Sequence, residues 1–151
     1  MSALLETAQI MSTCEIAADF DDLLKVAAWL ADLAEQDGWP DRMRFGLDLS
    51  VEEAVTNVIS YGFEGVDRPP QIRLEYFHLP AGHVAMRIVD NGRPFDPISV
   101  GPPHVPTSIE DARVGGHGVQ LMRHFLADLA YERVGDENRF TLVADPKKGA
   151  A

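Results

Sequence analysis

Apolar and polar positions alternate loosely over residues 2–14, which predicts an opening strand. From Leu23 to Leu33 the apolar residues recur at helical spacing instead. Asp19 or Asp21 stands ready to cap that helix, and Gly38 and Pro40 end it. A second helix is predicted over Asp41–Tyr61, stopping at Gly62. Gln71–Leu79 and His83–Asp90 then alternate on either side of Pro80-Ala81-Gly82, the mark of a β-hairpin. A loop rich in Gly and Pro runs from Asn91 to about Arg113, followed by a helix over Val119–Leu129. A strand from about Tyr131, a turn at Gly135–Asn138 and a last strand over Arg139–Ala144 complete the pattern. This order predicts an α/β fold, a two-layer α+β sandwich whose helices cover one face of a mixed, mostly antiparallel sheet.

Composition narrows the classes. The 151 residues suit one domain with a substantial core. A net charge of −11 argues against direct nucleic-acid binding, which depends on Lys and Arg neutralising phosphates. A nucleotide remains possible where backbone N–H groups, a helix N-terminus and a metal ion offset its charge locally. No apolar run approaches the ~20 residues of a membrane span, and the start lacks the features of a signal peptide. Cys14 is the single cysteine, so no internal disulfide forms and a cytoplasmic location is expected. No pair among the five histidines has a standard zinc-ligand spacing.

Three groups of residues depart from simple amphipathic patterning. On the second helix Leu47, Val51, Ala54 and Val58 share the core arc, with Glu53 and Asn57 four apart along its edge. Together these two can hold a hard cation and orient a hydroxyl, or they can form an ordinary exposed edge. In the strand before the long loop, Asp90 continues the apolar face of Val84, Met86 and Ile88. Such a carboxylate belongs at the floor of a pocket, where an exocyclic purine amine would satisfy it, unless Asp90-Asn91-Gly92 is only a turn cap. Gly92 would leave room there for a flat ring to approach. Last, Gly115-Gly116-His117-Gly118 runs into an amphipathic helix, a setting for an anion at a helix start or for a hinge. No Gly-Lys-Ser/Thr follows, so this is not a P-loop.

Taken together, these motifs resemble a known family. Glu53-Ala54-Val55-Thr56-Asn57 resembles the N-box of the GHKL (histidine kinase-like) ATPases. Asp90 to Pro97 resembles the first glycine box in the form seen in anti-sigma-factor serine/threonine-protein kinases, and Gly115 to Met122 the second. Asp128, Tyr131 and Asn138 also fall where those kinases often place an Asp, a Tyr and an Asn. Tyr61 departs from the histidine many members have, and Arg93-Pro94 replaces the second glycine of the wider superfamily's box.

The resemblance implies a Bergerat-type ATP-binding fold in one domain over residues 1–151. Its core would span about 15–145, an ATP lid about 98–116 and a flexible tail 146–151. It implies ATP and Mg²⁺ as cofactors, with Glu53 as catalytic base and Asn57 as the metal ligand. Asp90 would bond the adenine amine and Gly92 would pass under the base. Gly116 and Gly118 would contact the phosphates and Arg113 would reach the γ-phosphate, with Phe95, Gly115 and the lid residue His117 completing the nucleotide site. The function implied is that of an anti-sigma factor that phosphorylates a STAS-domain antagonist, binds a sigma factor and forms a homodimer. Two alternatives stay open: a non-catalytic, ATP-gated protein-binding module, and a detached histidine-kinase-like ATPase domain.

Overall fold

The computed structural model describes Leu5, residues 7–98 and residues 118–148. Strand β1 spans Ile10–Ile16, and helices α1 and α2 span Leu23–Asp37 and Asp41–Asn57. Strands β2 (Ile72–His78) and β3 (Val84–Asp90) form the central hairpin. Helix α3 (Gly118–Phe125), β4 (Asp128–Val134) and β5 (Glu137–Ala144) follow. The strand order is β1-β2-β3-β5-β4, and all four pairings are antiparallel, so the expected mixed sheet is antiparallel throughout. No helix among the described residues is long and apolar enough to cross a membrane.

Local chemistry accounts for the boundaries. The Asp19 side chain accepts from the Asp21 N–H at 2.9 Å and starts a short 3₁₀ turn that leads into α1. Gly38 ends α1 in the left-handed conformation, φ 61°, with its N–H on the Ala34 carbonyl. Beyond Asn57, α2 runs on through a wider π turn, Val58–Gly62.

Three boundaries differ from the sequence pattern. Leu5 and Thr7 are helical, and β1 starts only at Ile10. Helix α3 ends at Phe125 instead of Leu129, because the Ala127 N–H bonds the Val143 carbonyl at 2.8 Å and commits the chain to the sheet. The last turn is only Gly135-Asp136, with Gly135 at φ 59°, since Val134 already pairs with Glu137. Asn138 therefore lies inside β5 and not in a turn.

The core lies between the helices and one sheet face, where Val26 and Leu30 of α1 and Leu47 and Val51 of α2 meet Leu74, Met86 and Leu142. Each such buried side chain is worth about 1.5–3 kcal/mol. On the opposite face Leu5 covers Phe77, Ala85 and Val143 at one end of the sheet. Beside them Glu75 is buried between Arg73 and Arg87, at 3.1 and 2.7 Å. Helix α3 crosses α2 at close quarters: a Cβ on Gly46 would stand 2.6 Å from the Phe125 Cβ. That crossing brings the first residue of α3 onto the edge of α2, and the sheet register sets Asp90 opposite Asn138.

Candidate functional site

Burial of a carboxylate sets the chemistry of the site. Asp90 ends β3 on its inner face, only 4% exposed. Its Oδ1 accepts from the Gly92 N–H at 2.9 Å and from Asn138 Nδ2 at 3.0 Å. Oδ2 takes no hydrogen bond from any described residue. Burial pushes the Asp90 pKa above the ordinary carboxylate value, against the downward pull of the Asn138 and Gly92 donors and the Arg133 charge. A buried carboxylate with one oxygen to which no described residue donates suits a neutral donor such as an amino group.

Asn138 is the hub around that carboxylate, and it too is 4% exposed. Its Oδ1 accepts from Tyr131 Oη at 2.6 Å and from the Phe95 N–H at 3.2 Å. Its Nδ2 is shared between Asp90 and the Arg93 carbonyl, the latter at 2.7 Å. With donors on its oxygen, the amide presents its nitrogen to Asp90, so its orientation follows from the network. Burial also raises the Tyr131 pKa, keeping that hydroxyl protonated as the donor.

A mainly apolar cavity opens beside Asp90. Ala54, Val58, Ile88, Met122 and Phe140 supply apolar walls, while Asn57, Asp90, Tyr131 and Asn138 supply polar groups at its edge. Phe95 also lines it and is 40% exposed. An apolar slot with a few convergent polar groups is how proteins hold flat heteroaromatic ligands.

Gly92 is demanded by the chain itself. A Cβ there would run into the Gly62 carbonyl and stand 2.9 Å from Asp90 Oδ1. The expected room for an approaching ring is thus taken, at Gly92 itself, by the π turn of α2. Arg93 ties the same two segments: its N–H bonds the Gly62 carbonyl at 2.8 Å, and its Nε bonds the Tyr61 carbonyl at 3.0 Å. Arg133 Nη1 holds the Gly92 carbonyl from β4 at 2.7 Å. Asn91 fastens the end of β3 to residues 69–71 through Gln71 N–H and the Pro69 carbonyl. The departures at Tyr61 and Arg93 therefore meet each other in the structure.

Glu53 and Asn57 stand together, with Asn57 Nδ2 3.4 Å from Glu53 Oε1. Asn57 lines the cavity, whereas Glu53 lies outside the lining and borders the start of α3. A Cβ on Gly118 would come within 2.6 Å of Glu53 Oε1, so only glycine lets α3 begin there without displacing that carboxylate. Of the candidates from the sequence, Asn57, Asp90 and Phe95 line this cavity, Gly92 bonds Asp90 beside it, and Glu53 and Gly118 meet each other next to Asn57. Arg113, Gly115, Gly116 and His117 lie outside the described residues. Asn138 and Arg133 are additions for which the sequence pattern assigned no task. Asn138, Phe140 and Leu142 share the inner face of β5, the same polar-after-apolar signal that marks Asp90, but hidden by the misplaced turn.

Known proteins share the sequence and fold of this chain. Residues 16–144 match the family described as Histidine kinase-like ATPase domain. The chain belongs to that family. It is 35% identical over 144 residues to the serine/threonine-protein kinase BtrW of Bordetella bronchiseptica, covering 95% of this chain and 96% of the relative. It is 30% identical over 104 residues to the serine-protein kinase RsbW of Listeria innocua, covering 66% of this chain and 65% of that one. This histidine kinase-like ATPase domain thus falls in the branch of anti-sigma-factor serine/threonine-protein kinases to which its motifs point. The RsbU and RsbW domains of Rv1364c from Mycobacterium tuberculosis share the fold, with a TM-score of 0.60 at 13% identity over 89% of this chain and 32% of that one. The blue-light activated histidine kinase of Erythrobacter litoralis does so at 0.58 and 15% identity, over 85% and 42%. A domain of this family uses ATP.

Proposed function

We propose that this chain transfers the terminal phosphoryl group of ATP to a serine or threonine hydroxyl of a STAS-type antagonist, and that it restrains a sigma factor as its second partner. The observation that supports it best is the placing of the Glu53–Asn57 pair between the Asp90 cavity and the start of α3. Adenine would lie in the apolar cavity with its amino group on Asp90 Oδ2, which has no other donor among the described residues. The phosphates would then extend past Asn57 toward the N-terminus of α3, since a helix start favours anions.

The residues fit a magnesium ion as well. Asn57 directs its nitrogen to Glu53, which leaves the harder carbonyl oxygen for a cation. When bound, Mg²⁺ would neutralise phosphate charge as transfer proceeds. Glu53, beside Asn57, would orient the incoming hydroxyl and accept its proton. Roles for Arg113, Gly115, Gly116 and His117 at the phosphates, a lid over residues 98–116 and a homodimer rest on the family pattern alone.

The test is a pair of measurements on Glu53→Ala. Titration calorimetry with ATP and Mg²⁺ should show affinity within about threefold of wild type, while radiolabelled phosphotransfer to a recombinant STAS antagonist falls by about 10²-fold or more. Transfer that survives the substitution removes Glu53 as the base. Wild-type protein that binds ATP but phosphorylates no antagonist would instead be a nucleotide-gated binding module.

A further inference from the structure

The charge of the chain is unevenly placed. Residues 15–53 contain eleven Asp and Glu against three Lys and Arg, which accounts for eight of the eleven net negative charges. Those residues include all of α1 and most of α2. There α1 and α2 border a groove whose wall is apolar on one side, with Leu23, Leu24, Ala27 and Leu30, and acidic on the other, with Asp48 and Glu52.

Two features set the groove apart from ordinary surface. Leu24 is 79% exposed and Phe20, four residues earlier, is 53% exposed, so the apolar stripe continues out of the groove toward the start of α1. Single exposed leucines are common, but a stripe leading into a groove marks an interaction site. Across from it Asp48 and Glu52 are four apart on α2 and therefore side by side. Among the described residues neither forms an ion pair or a hydrogen bond. Burial raises the Asp48 pKa; the Arg44 charge opposes this and the Glu52 charge adds to it. Lys25 does not relieve the pair, because its Nζ is held by the Glu15 carbonyl at 2.7 Å. Two like charges beside an apolar wall favour an incoming cation.

Glu52 and Glu53 are adjacent on α2, so their side chains point about 100° apart. One meets Asn57 and α3 at the nucleotide side, and the other faces α1. The groove is therefore a second surface on the same helix.

We propose that this groove docks a cationic amphipathic helix of a partner protein. Its apolar face would rest on Leu24, Ala27 and Leu30, and a lysine or arginine would reach between Asp48 and Glu52. The proposal goes beyond the kinase reading and holds whether or not phosphate is transferred.

The probe is a fluorescein-labelled peptide of about 18 residues, with Leu at i, i+3, i+4 and i+7 and Lys elsewhere, titrated with the full chain and followed by anisotropy. Binding is expected, and it should weaken between ~50 and ~300 mM salt. Leu24→Ser, and the isosteric pair Asp48→Asn with Glu52→Gln, should each weaken it about tenfold or more, while ATP affinity by calorimetry stays as in wild type. The pair Asp67→Asn with Asp136→Asn makes the same change in net charge elsewhere and should cost less than about twofold. Wild-type protein that fails to bind the peptide overturns the proposal. So does equal weakening by both pairs, which would mean the peptide reads net charge only. A concentration-dependent dimer lost in Leu24→Ser would assign the groove to a second copy of the chain, and overturns it too.

Discussion

Asp90 carries an electrostatic conflict that its neighbours reduce but do not remove. Because burial raises its folded pKa, the native state holds the proton more tightly than the unfolded chain does. Its contribution to stability is therefore full below the unfolded carboxylate pKa, and it is lost as pH rises through the raised folded value. Asp90→Asn removes that loss and keeps an acceptor for Gly92 and Asn138. The variant should melt at or above the wild-type temperature near neutral pH, with the difference shrinking toward acid, while ATP affinity falls about tenfold or more. Calorimetric melting across pH checks this; a variant less stable at every pH would mean that its hydrogen bonds outweigh desolvation. Asn138→Ala is the converse case. It strips partners from Asp90, Tyr131 and the Arg93 carbonyl at once, and should cost about 2–3 kcal/mol in denaturant unfolding as well as weakening ATP. Asp90 was legible because it continues an apolar alternation that a reader can count. Asn138 has the same pattern behind it, but glycine, aspartate and asparagine at 135, 136 and 138 read as one turn, and only pairing with β3 and β4 shows where the turn ends.

At the scale of elements, the contact between α2 and α3 decides whether the site is assembled. Gly46→Ala would place a methyl group 2.6 Å from the Phe125 Cβ, the root of that side chain, where neither helix can yield cheaply. We expect a loss of about 1–3 kcal/mol in denaturant unfolding, with weaker phosphotransfer because α3 also carries Gly118 to Glu53. Gly118→Ala separates the two effects. The described atoms nearest its methyl group all belong to the flexible Glu53 side chain, so stability should stay within about 1 kcal/mol of wild type while transfer drops about tenfold or more. Full transfer in that variant would dissociate Glu53 from the chemistry. The glycine box before the loop depends on another inter-element contact, since Arg93 reaches the Tyr61 and Gly62 carbonyls of the π turn. A residue that breaks the wider superfamily's glycine pattern thus serves here as the tie between strand and helix.

For the molecule as a whole, nucleotide that binds only the native state must raise its melting temperature. At ATP near a hundred times its dissociation constant the gain is about 2.7 kcal/mol, or roughly 5–10 °C for a chain of this length. Thermal scans with ATP and Mg²⁺ should show that shift in wild type and not in Asp90→Ala; an equal shift in both would place the nucleotide elsewhere. The sequence by itself determined the order of elements, the layering of helices on one face, and the polar positions Glu53, Asn57 and Asp90. Helical and alternating periods are local, so each can be counted within a single segment. Tertiary structure alone decided that Asn138 completes Asp90 across 48 positions of chain, that Gly92 must be glycine because Gly62 passes against it, and that Asp48 and Glu52 face a groove. Those are contacts between distant segments, and the partner in such a contact leaves no mark on the local pattern of either one.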